Sequence, residues 1–285
     1  MRSVARDIRT ARFWKSLITQ ALASFGFLAA SAGLAGLFWP DFFKSNAWLV
    51  LAAVMLSLGY GGVRAWPRPI QAKYRAPETL IKVVRGDLFL QHDAHLVIGF
   101  SDTFDTASPY IATASVQGQF LNRVYGNDIS KLDADIEREL LGVETIETIP
   151  GKDGKSRRYP LGTTVILREN WRRYFLIAYT AMDSQSSASS TPDAVWRSLN
   201  ELWNAVRSTS NGSKVCMPII GGGQSKLSPV LPALDSVRFI AMSFMLASRA
   251  RPVCSELAIV VPSEQFDTLD HLEIQAFLDS LRLSR

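Results

Sequence analysis

The stretch CMPIIGGGQSKLSP, residues 216–229, joins an apolar run to three consecutive glycines and then to a proline-marked helix start. Its apolar half is typical of a buried strand. Glycine loses the most conformational entropy on folding, so three in a row need a physical reason. A surface loop is one such reason, and the close approach of backbone N–H groups to a phosphate is another. The sequence on either side of this stretch decides between the two interpretations.

Strand and helix patterns alternate along the chain around this stretch. TLIKVVRGD, HLVIGF and ELAIVVP predict strands, and TTVILRENWRRYFLIAYT predicts two strands around a Glu-Asn-Trp turn. DISKLDADIERELLG and STPDAVWRSLNELWNAVRSTSNG open on capping residues and close on glycine, which predicts two helices. Two more helices are predicted within VRFIAMSFMLAS and LDHLEIQAFLDSLRL. This alternation indicates an α/β domain whose sheet lies between helical layers.

Composition narrows the class of protein. The chain has 285 residues, a net charge of +5 and 47% hydrophobic residues, which exclude a disordered or fibrous protein. Cys216 and Cys254 lie in or beside apolar runs, which predicts buried, unreactive thiols and a reducing compartment. The basic residues gather beside the two most apolar segments. This distribution indicates membrane topology rather than nucleic-acid binding.

Two uncharged segments near the N-terminus are long enough to cross a bilayer. They cover residues 16–40 and 45–63, about 25 and about 19 positions, where roughly 20 are needed. By the positive-inside rule both basic flanks are cytoplasmic and residues 41–45 form the outer turn. A cleaved signal peptide, a buried core pair and an amphipathic anchor fit these segments less well. Tryptophans flank both segments, as expected at membrane interfaces: Trp14, Trp39, Trp48 and Trp66.

Small residues recur at four-residue spacing in the first apolar segment. Such spacing lets helix backbones approach closely in lipid, and it predicts self-association within the hairpin or between protomers; small residues are also common in membrane helices generally. The pairs are Gly26 with Ala30, Ala29 with Gly33, and Ala32 with Gly36.

The chain is expected to have three parts. The prolines of RAWPRPIQAKYRAP indicate a stiff, basic linker after the second apolar segment. We therefore predict a membrane anchor over residues 1–66, a linker over residues 67–77 and an α/β domain over residues 78–285.

Three predicted strand ends have residues suited to ligand binding, which in open α/β sheets takes place beyond the carboxyl ends of the strands. Gly86-Asp87 closes one strand, GFSDTFDTASP closes the next, and the glycines at 221–223 close a third before a helix. Gly-rich turns at this point offer converging N–H groups that suit a pyrophosphate. Asp87 does not help to hold phosphate, but its carboxylate is able to accept a hydrogen bond from an adenine amine.

This combination resembles a macro domain, the fold that recognises ADP-ribose. VVRGDLFLQHDAHLVIGF is similar to the family's strand–Gly-Asp–strand opening, and CMPIIGGGQ is similar to its phosphate loop. The resemblance covers about residue 80 to the C-terminus. It implies an α/β fold in which a mixed sheet lies between helices in three layers, preceded here by two transmembrane helices.

The same resemblance implies a ligand site in which Asp87 binds adenine, residues 220–225 surround the pyrophosphate and distal ribose, and residues 101–105 form the opposing loop. Lys226 adds a positive charge that attracts phosphate. The implied site residues are Asp87, Leu88, Phe100, Ser101, Asp102, Thr103, Phe104, Asp105, Ile220, Gly221, Gly222, Gly223, Gln224, Ser225 and Lys226.

A two-span anchor joined to a divergent macro domain is similar to one family in particular, the macro-domain ThsA effectors of type II Thoeris antiphage systems. The resemblance implies that a partner TIR enzyme makes an ADP-ribose-derived signal, a histidine conjugate, which the macro domain senses. It also implies that the effector then assembles into a homo-oligomer and disrupts the lipid bilayer of the bacterial inner membrane. Its N-terminus and macro domain are expected to be cytoplasmic. Beyond this signalling ligand, no cofactor or metal is expected.

Hydrolytic macro domains have an Asn-rich segment where this chain has GFSDTFDT, so the resemblance implies a binding module rather than an enzyme. Two alternatives stay open, a membrane-tethered ADP-ribosyl hydrolase and a passive anchor whose glycine loop binds nothing.

Other catalytic and binding templates fit poorly. GKDGKS, residues 151–156, lacks the first P-loop glycine and predicts a hairpin tip. His92, His95 and His271 lack metal-ligand spacing, and no Gly-x-Ser-x-Gly elbow occurs. RENWRRYF alternates like a strand face, which argues against a nucleic-acid partner.

Overall fold

The computed structural model describes residues 11–38, 46, 48–65, 69–221 and 229–282. The chain divides into two compact units, Met1–Arg68 and Pro69–Arg285, which are described separately. The predicted outer turn at residues 41–45 and the basic residues before residue 11 lie outside the described residues, as do Trp39 and Trp66.

The N-terminal unit contains two apolar helices, α1 (Ala11–Gly36) and α2 (Trp48–Ala65), which pack against each other. The helices approach closely at Gly61, where a Cβ atom would lie 2.9 Å from the carbonyl oxygen of Leu17 and 3.1 Å from Cβ of Ala21. Glycine is therefore required for this helix contact. The predicted small residues Gly26 and Gly33 instead have open space on their Cβ side, so they do not form the contact within the hairpin.

One described segment, Phe13–Gly36, is long and apolar enough to cross a membrane by length and composition. Trp48–Val63 is also an apolar helix, but it is too short for the same criterion. The second helix begins only at Trp48, after the predicted start at residue 45, and the charge of Arg64 ends its apolar run. The structure thus gives one candidate span rather than the predicted two, and a multi-pass topology is not supported by this measure.

The second unit is a mixed sheet with a small separate hairpin. The strands among the described residues are β1 (Ile70–Arg75), β2 (Glu78–Arg85), β3 (His95–Ser101), β4 (Glu147–Thr148), β5 (Arg157–Arg158), β6 (Thr164–Glu169), β7 (Arg172–Met182), β8 (Ala188–Ser189), β9 (Val215–Pro218) and β10 (Glu256–Val261). The order in the main sheet is β1-β2-β10-β9-β3-β7-β6, with β8 beside β7. The five central strands are parallel, and β1 and β6 run antiparallel at the two edges.

Helices cover both faces of this sheet. In chain order they are α3 (Val116–Tyr125), α4 (Ile129–Glu139), α5 (Pro192–Thr209), α6 (Ala233–Ala250), the single turn α7 (Ser263–Phe266) and α8 (His271–Ser280), with a 3₁₀ turn at Leu88–Leu90. Phe120 of α3 and Leu132 of α4 belong to one hydrophobic core, and Leu202 of α5 and Phe244 of α6 belong to the other. The three-layer α/β fold predicted from the sequence is confirmed.

Capping residues start two helices where the sequence predicts them. The Asp128 carboxylate accepts a hydrogen bond from the N–H of Lys131, and the Thr191 hydroxyl accepts one from the N–H of Ala194. Each cap satisfies a backbone donor that the first turn of a helix leaves without a partner. The GKDGKS tip also lies where it was predicted, between β4 and β5 of a two-stranded hairpin.

The predicted linker contributes an edge strand to the sheet. Within residues 67–77, Ile70–Arg75 form β1, whose buried and exposed residues alternate because one face packs on the core. The C-terminal helix α8 covers this strand. The Gln275 side chain accepts from the N–H of Gln71 and donates to its carbonyl oxygen, at 3.2 and 3.1 Å, and the Tyr74 hydroxyl donates to the Leu278 carbonyl at 2.7 Å.

Both cysteines are free and buried, as predicted. Burial raises the pKa of the Cys216 and Cys254 thiols to about 12. The thiolate is the reactive form, so we expect the folded protein to resist iodoacetamide at about pH 8.5, where the urea-unfolded chain reacts at both positions. Mass spectrometry measures the alkylation, and rapid modification of the folded protein would contradict the burial.

The raised pKa values of the two thiols predict that the free energy of unfolding depends on pH. Unfolded thiols ionise near pH 9, while the folded thiols stay protonated until about pH 12, so the native state binds more protons in between. The free energy of unfolding should therefore fall as the pH rises from about 9 towards 12. Replacing both cysteines with alanine should reduce this slope.

Candidate functional site

A crevice opens between β3 and β9. These parallel strands pair only at His95↔Val215 and Leu96↔Cys216. Beyond this point β3 continues alongside β7, whereas β9 continues alongside β10. The chain leaves β3 towards the β7 side of the sheet and leaves β9 towards the β10 side. This is a topological switch point, where open α/β sheets bind their ligands.

A cavity of about 610 Å³ occupies this crevice. Val97 and Gly99 of β3, Met217 of β9 and Tyr179 of β7 line its inner part. Gly99 leaves room for an aromatic side chain, because a Cβ atom at this position would lie 2.4 Å from Cε1 of Tyr179. The volume is in the range of small-molecule sites.

The loop and helix after β3 form one wall of the cavity, which the sequence analysis did not include. Tyr110, Ala114 and the first residues of α3 line it. Ser115 caps α3 by accepting a hydrogen bond from the N–H of Gly118. The N–H groups of Val116 and Gln117 belong to the first helical turn and have no acceptor within the helix. In the sequence ATASVQGQF, Ser115 directly before an apolar residue is a signal from which this helix start is predictable.

Three of the predicted site residues line the cavity, namely Phe100, Ser101 and Ile220. The Ile220 N–H is already bound to the Ser236 hydroxyl at 2.8 Å, so it is not free for a ligand. Gly221 has a φ of 91°, a left-handed conformation that favours glycine. Residues Gly222, Gly223, Gln224, Ser225 and Lys226 lie outside the described residues.

The next four predicted residues, Asp102, Thr103, Phe104 and Asp105, are buried and do not line the cavity. Asp105 forms an ion pair with Lys152 of the hairpin tip, with 2.8 Å between Oδ2 and Nζ, and both side chains are almost completely inaccessible. The N–H of Lys155 donates to the other carboxylate oxygen, also at 2.8 Å. The segment therefore binds the β4–β5 hairpin rather than facing the crevice.

Asp102 has a similar structural role. Its carboxylate accepts a hydrogen bond from the N–H of Met182 at 2.9 Å and lies 3.0 Å from Nε of Arg158. Burial raises the pKa of the Asp102 carboxyl, and the Met182 N–H and the Arg158 charge partly oppose this rise. The side chain ties β3 to β7 and to the hairpin.

Phe104 is held in an uncommon backbone conformation by this packing. Its φ of 52° is in the left-handed region, which costs a non-glycine residue on the order of 1 kcal/mol. The fully buried ring stacks on Phe100 with centroids 5.7 Å apart and meets Tyr159 edge-on at 5.8 Å. Phe100 lines the cavity, so the strained turn shapes one wall of it.

Asp87 and Leu88 lie at the end of β2 and are not among the residues that line the cavity. One oxygen of the Asp87 carboxylate caps the following 3₁₀ turn through the N–H of Phe89, and the other pairs with Arg123 of α3 at 2.5 Å. At the neighbouring strand end, Gln265 lines the cavity, and its buried Oε1 atom has no hydrogen-bond partner among the residues that the structure describes. The predicted contact between Asp87 and adenine stays a prediction.

The described cavity lining contains no Asp, Glu, His, Lys or Arg side chain. Within the described part of the chain, no group of three or more His, Cys, Asp or Glu residues is arranged to hold a metal ion. Hydroxyl, amide and backbone N–H groups are thus the polar groups that the described residues offer to a ligand.

A mixed sheet of this order, with helices on both faces and a crevice at the switch point, defines a macro-type α/β fold. The family described as "Thoeris protein ThsA, Macro domain" matches residues 81–262, and the chain belongs to this family.

Solved structures similar to the chain include the Oceanobacillus iheyensis macrodomain with ADP, at 13% identity and a TM-score of 0.48, covering 75% of this chain and 99% of that one. A mutant of the same macrodomain is similar at 12% identity and a TM-score of 0.47, covering 75% and 95%. No curated protein matches the chain.

We expect Lys152→Met to destabilise the protein by about 3–5 kcal/mol, because it leaves the Asp105 carboxylate buried without its counter-charge. Urea unfolding of the full chain in detergent, followed by circular dichroism, measures the change. Lys73→Met is the control, since the Lys73–Glu78 pair is exposed and such pairs contribute little. Equal unfolding midpoints for both variants would show that the buried pair is unimportant.

Proposed function

We propose that this protein is an antiphage effector whose cytoplasmic macro domain binds an ADP-ribose-derived signal and then acts on the membrane. The observation that supports binding most directly is the cavity at the β3–β9 crevice, which Ile219 and Ile220 line directly after β9. The ligand class is inferred from the family, and the ligand position is inferred from the crevice.

The polar groups around the cavity suit a diphosphate sugar. A diphosphate needs donors, and the first-turn N–H groups of Val116 and Gln117 are donors at the positive end of the α3 dipole. We assign the remaining phosphate contacts to the backbone of residues 221–225 and to Lys226. The hydroxyl and amide side chains of the lining suit ribose hydroxyl groups, and the apolar inner part suits a base or an attached ring.

Membership of the ThsA macro-domain family supports an enzymatic source for the signal. In a Thoeris system a TIR-domain enzyme is the expected partner, and the ligand is of the histidine–ADP-ribose type. The protein would act as a sensor of this product, with no further cofactor.

The N-terminal hairpin supports action at a membrane. Large apolar side chains on α1 and α2 are exposed, including Phe27, Leu34, Leu51 and Val63. Lipid or other copies of the hairpin would cover this surface. We propose that both helices enter the inner membrane with the termini on the cytoplasmic side, that the ligand favours a homo-oligomer, and that the clustered hairpins disrupt the bilayer. The ligand must bind the assembled state more tightly than the free state for this to occur.

The alternative function is a membrane-tethered ADP-ribosyl hydrolase. General acid–base catalysis needs a titratable side chain within reach of the substrate. The described lining contains the titratable side chains of Tyr110 and Tyr179 but no Asp, Glu, His or Lys, the usual general acids and bases, and this composition supports binding over hydrolysis. Incubation with an ADP-ribosylated protein, followed by mass spectrometry, separates the two: released ADP-ribose would favour the hydrolase.

We expect Ala114→Trp to weaken binding of ADP-ribose and its histidine conjugate about tenfold or more, because Ala114 is exposed at the cavity wall and an indole ring would occupy ligand space. Calorimetry with the full chain in detergent measures the affinity. Ala112→Trp is the matched control, since Ala112 is exposed on the same loop but does not line the cavity. Equal loss in both variants would place the ligand elsewhere.

Membrane action has its own test. Dye-loaded liposomes with the protein inserted should leak when the histidine conjugate is added, and the Ala114→Trp variant should leak far less at the same ligand concentration. Leakage that stays at baseline in the wild type, at a ligand concentration that saturates binding, would overturn the effector half of the proposal.

A further inference from the structure

A chain of hydrogen bonds leads from the cavity to the buried ion pair. Ser101 lines the cavity, and its Oγ atom lies 3.2 Å from Oγ1 of Thr103. The Thr103 hydroxyl in turn lies 2.6 Å from Oδ2 of Asp105, and the same oxygen accepts from the Lys152 ammonium at 2.8 Å. All four side chains are buried, at most 7% exposed.

The direction of each hydrogen bond in this chain is fixed. Asp105 is paired with an ammonium group and accepts an N–H from Lys155, so its carboxylate is an acceptor only. Thr103 must therefore donate its single hydroxyl proton to Asp105. A hydroxyl has one proton, so Thr103 has only lone pairs left for Ser101. The Ser101 hydroxyl accordingly donates to Thr103.

This direction decides what Ser101 offers to a ligand. Its proton is committed to Thr103, so the oxygen presents only lone pairs to the cavity. We propose that Ser101 is a specificity-determining residue that acts as a fixed hydrogen-bond acceptor for a ribose hydroxyl group of the ligand. The inference rests on the proposed function, because it concerns the same cavity and the same class of ligand.

A phosphate group of the ligand is a poor partner for Ser101. A phosphate oxygen is an acceptor, and two acceptors in contact repel each other. For Ser101 to donate to phosphate, it would have to give up its bond to Thr103, whose oxygen has no other donor among the described hydrogen bonds. Among the described residues, the first-turn N–H groups of α3 are the donors that suit the diphosphate.

The role of Lys152 in this scheme is indirect. Its ammonium group donates to the same carboxylate oxygen of Asp105 that accepts from Thr103, and this acceptor sets the direction of both hydroxyl groups. Lys152 also lies 5.3 Å from the ring centroid of Tyr110, another cavity residue. Lys152 and Asp105 are thus positioning residues, whereas Ser101 is the group that touches the ligand.

The test compares ADP-ribose with analogues in which each ribose hydroxyl is replaced in turn by fluorine, which cannot donate. Calorimetry on the full chain in detergent gives the affinity ratio between parent and analogue. We expect the wild type to bind one of these analogues about tenfold more weakly than it binds ADP-ribose, because one buried hydrogen bond is lost. Ser101→Ala should bind both ligands with similar affinity.

Thr103→Val tests the direction of the hydrogen bonds. Valine is close to isosteric with threonine but accepts no hydrogen bond, so the Ser101 hydroxyl is free to rotate and donate. The affinity ratio between ADP-ribose and the fluorinated analogue should therefore shrink to about twofold or less. Thr79→Val is the matched control, because the Thr79 hydroxyl is equally buried and donates to the Cys254 carbonyl at 2.9 Å, away from the cavity lining. This variant should lose stability but keep the wild-type ratio. A wild-type ratio in Thr103→Val, or no discrimination in the wild type, would overturn the proposal.

A ligand-free measurement separates this proposal from the proposed function. If the wild type binds no ADP-ribose, the proposed function fails. The hydrogen-bond direction is then judged from the Thr103 hydroxyl proton, which donation to a buried carboxylate should keep in slow exchange with water. NMR of threonine-labelled protein should show this proton, assigned by its loss in Thr103→Val. Fast exchange of the Thr103 hydroxyl would overturn the acceptor assignment of Ser101.

Discussion

The early separation of β3 from β9 is the constraint on which the site depends. After two paired residues, each strand keeps hydrogen bonds to its other neighbour, so the sheet stays intact on both sides of a gap. Helices on both faces prevent the gap from closing, because α5 and α6 pack on one face and α3 and α4 on the other. A cavity between two intact half-sheets is then a property of the backbone. The side chains decide only what binds there.

Charged and uncharged side chains occupy different places around the crevice. Charged groups near the crevice are buried behind its wall and paired with one another, as Asp102 is with Arg158 and Asp105 with Lys152. The described surface that faces the cavity is uncharged. Buried charges require partners, and here the β4–β5 hairpin supplies them. The hairpin thus supports the wall from behind and leaves polar but neutral groups in front.

The sequence predicted the layers of the fold better than the site. Long apolar runs such as those of β3 and β10 identify central strands because they are buried on both faces. The strand β1 was missed because its polar residues alternate and prolines flank it, as in a linker. Residues 102–105 were assigned to the ligand because they follow a strand end. No local pattern reveals that Lys152, far along the chain, neutralises Asp105 and turns this segment inward.

The side chain of Gln275 has a consequence for how copies of this domain are able to meet. An uncovered edge strand offers unpaired N–H and C=O groups to a strand of another molecule. Here the Gln275 amide binds both outward groups of Gln71, much as a further strand would. A filament that continued the sheet from one copy to the next would first have to remove this amide. Pairing with a strand of another copy is thereby hindered at the β1 edge, whereas β6 forms the opposite edge of the sheet.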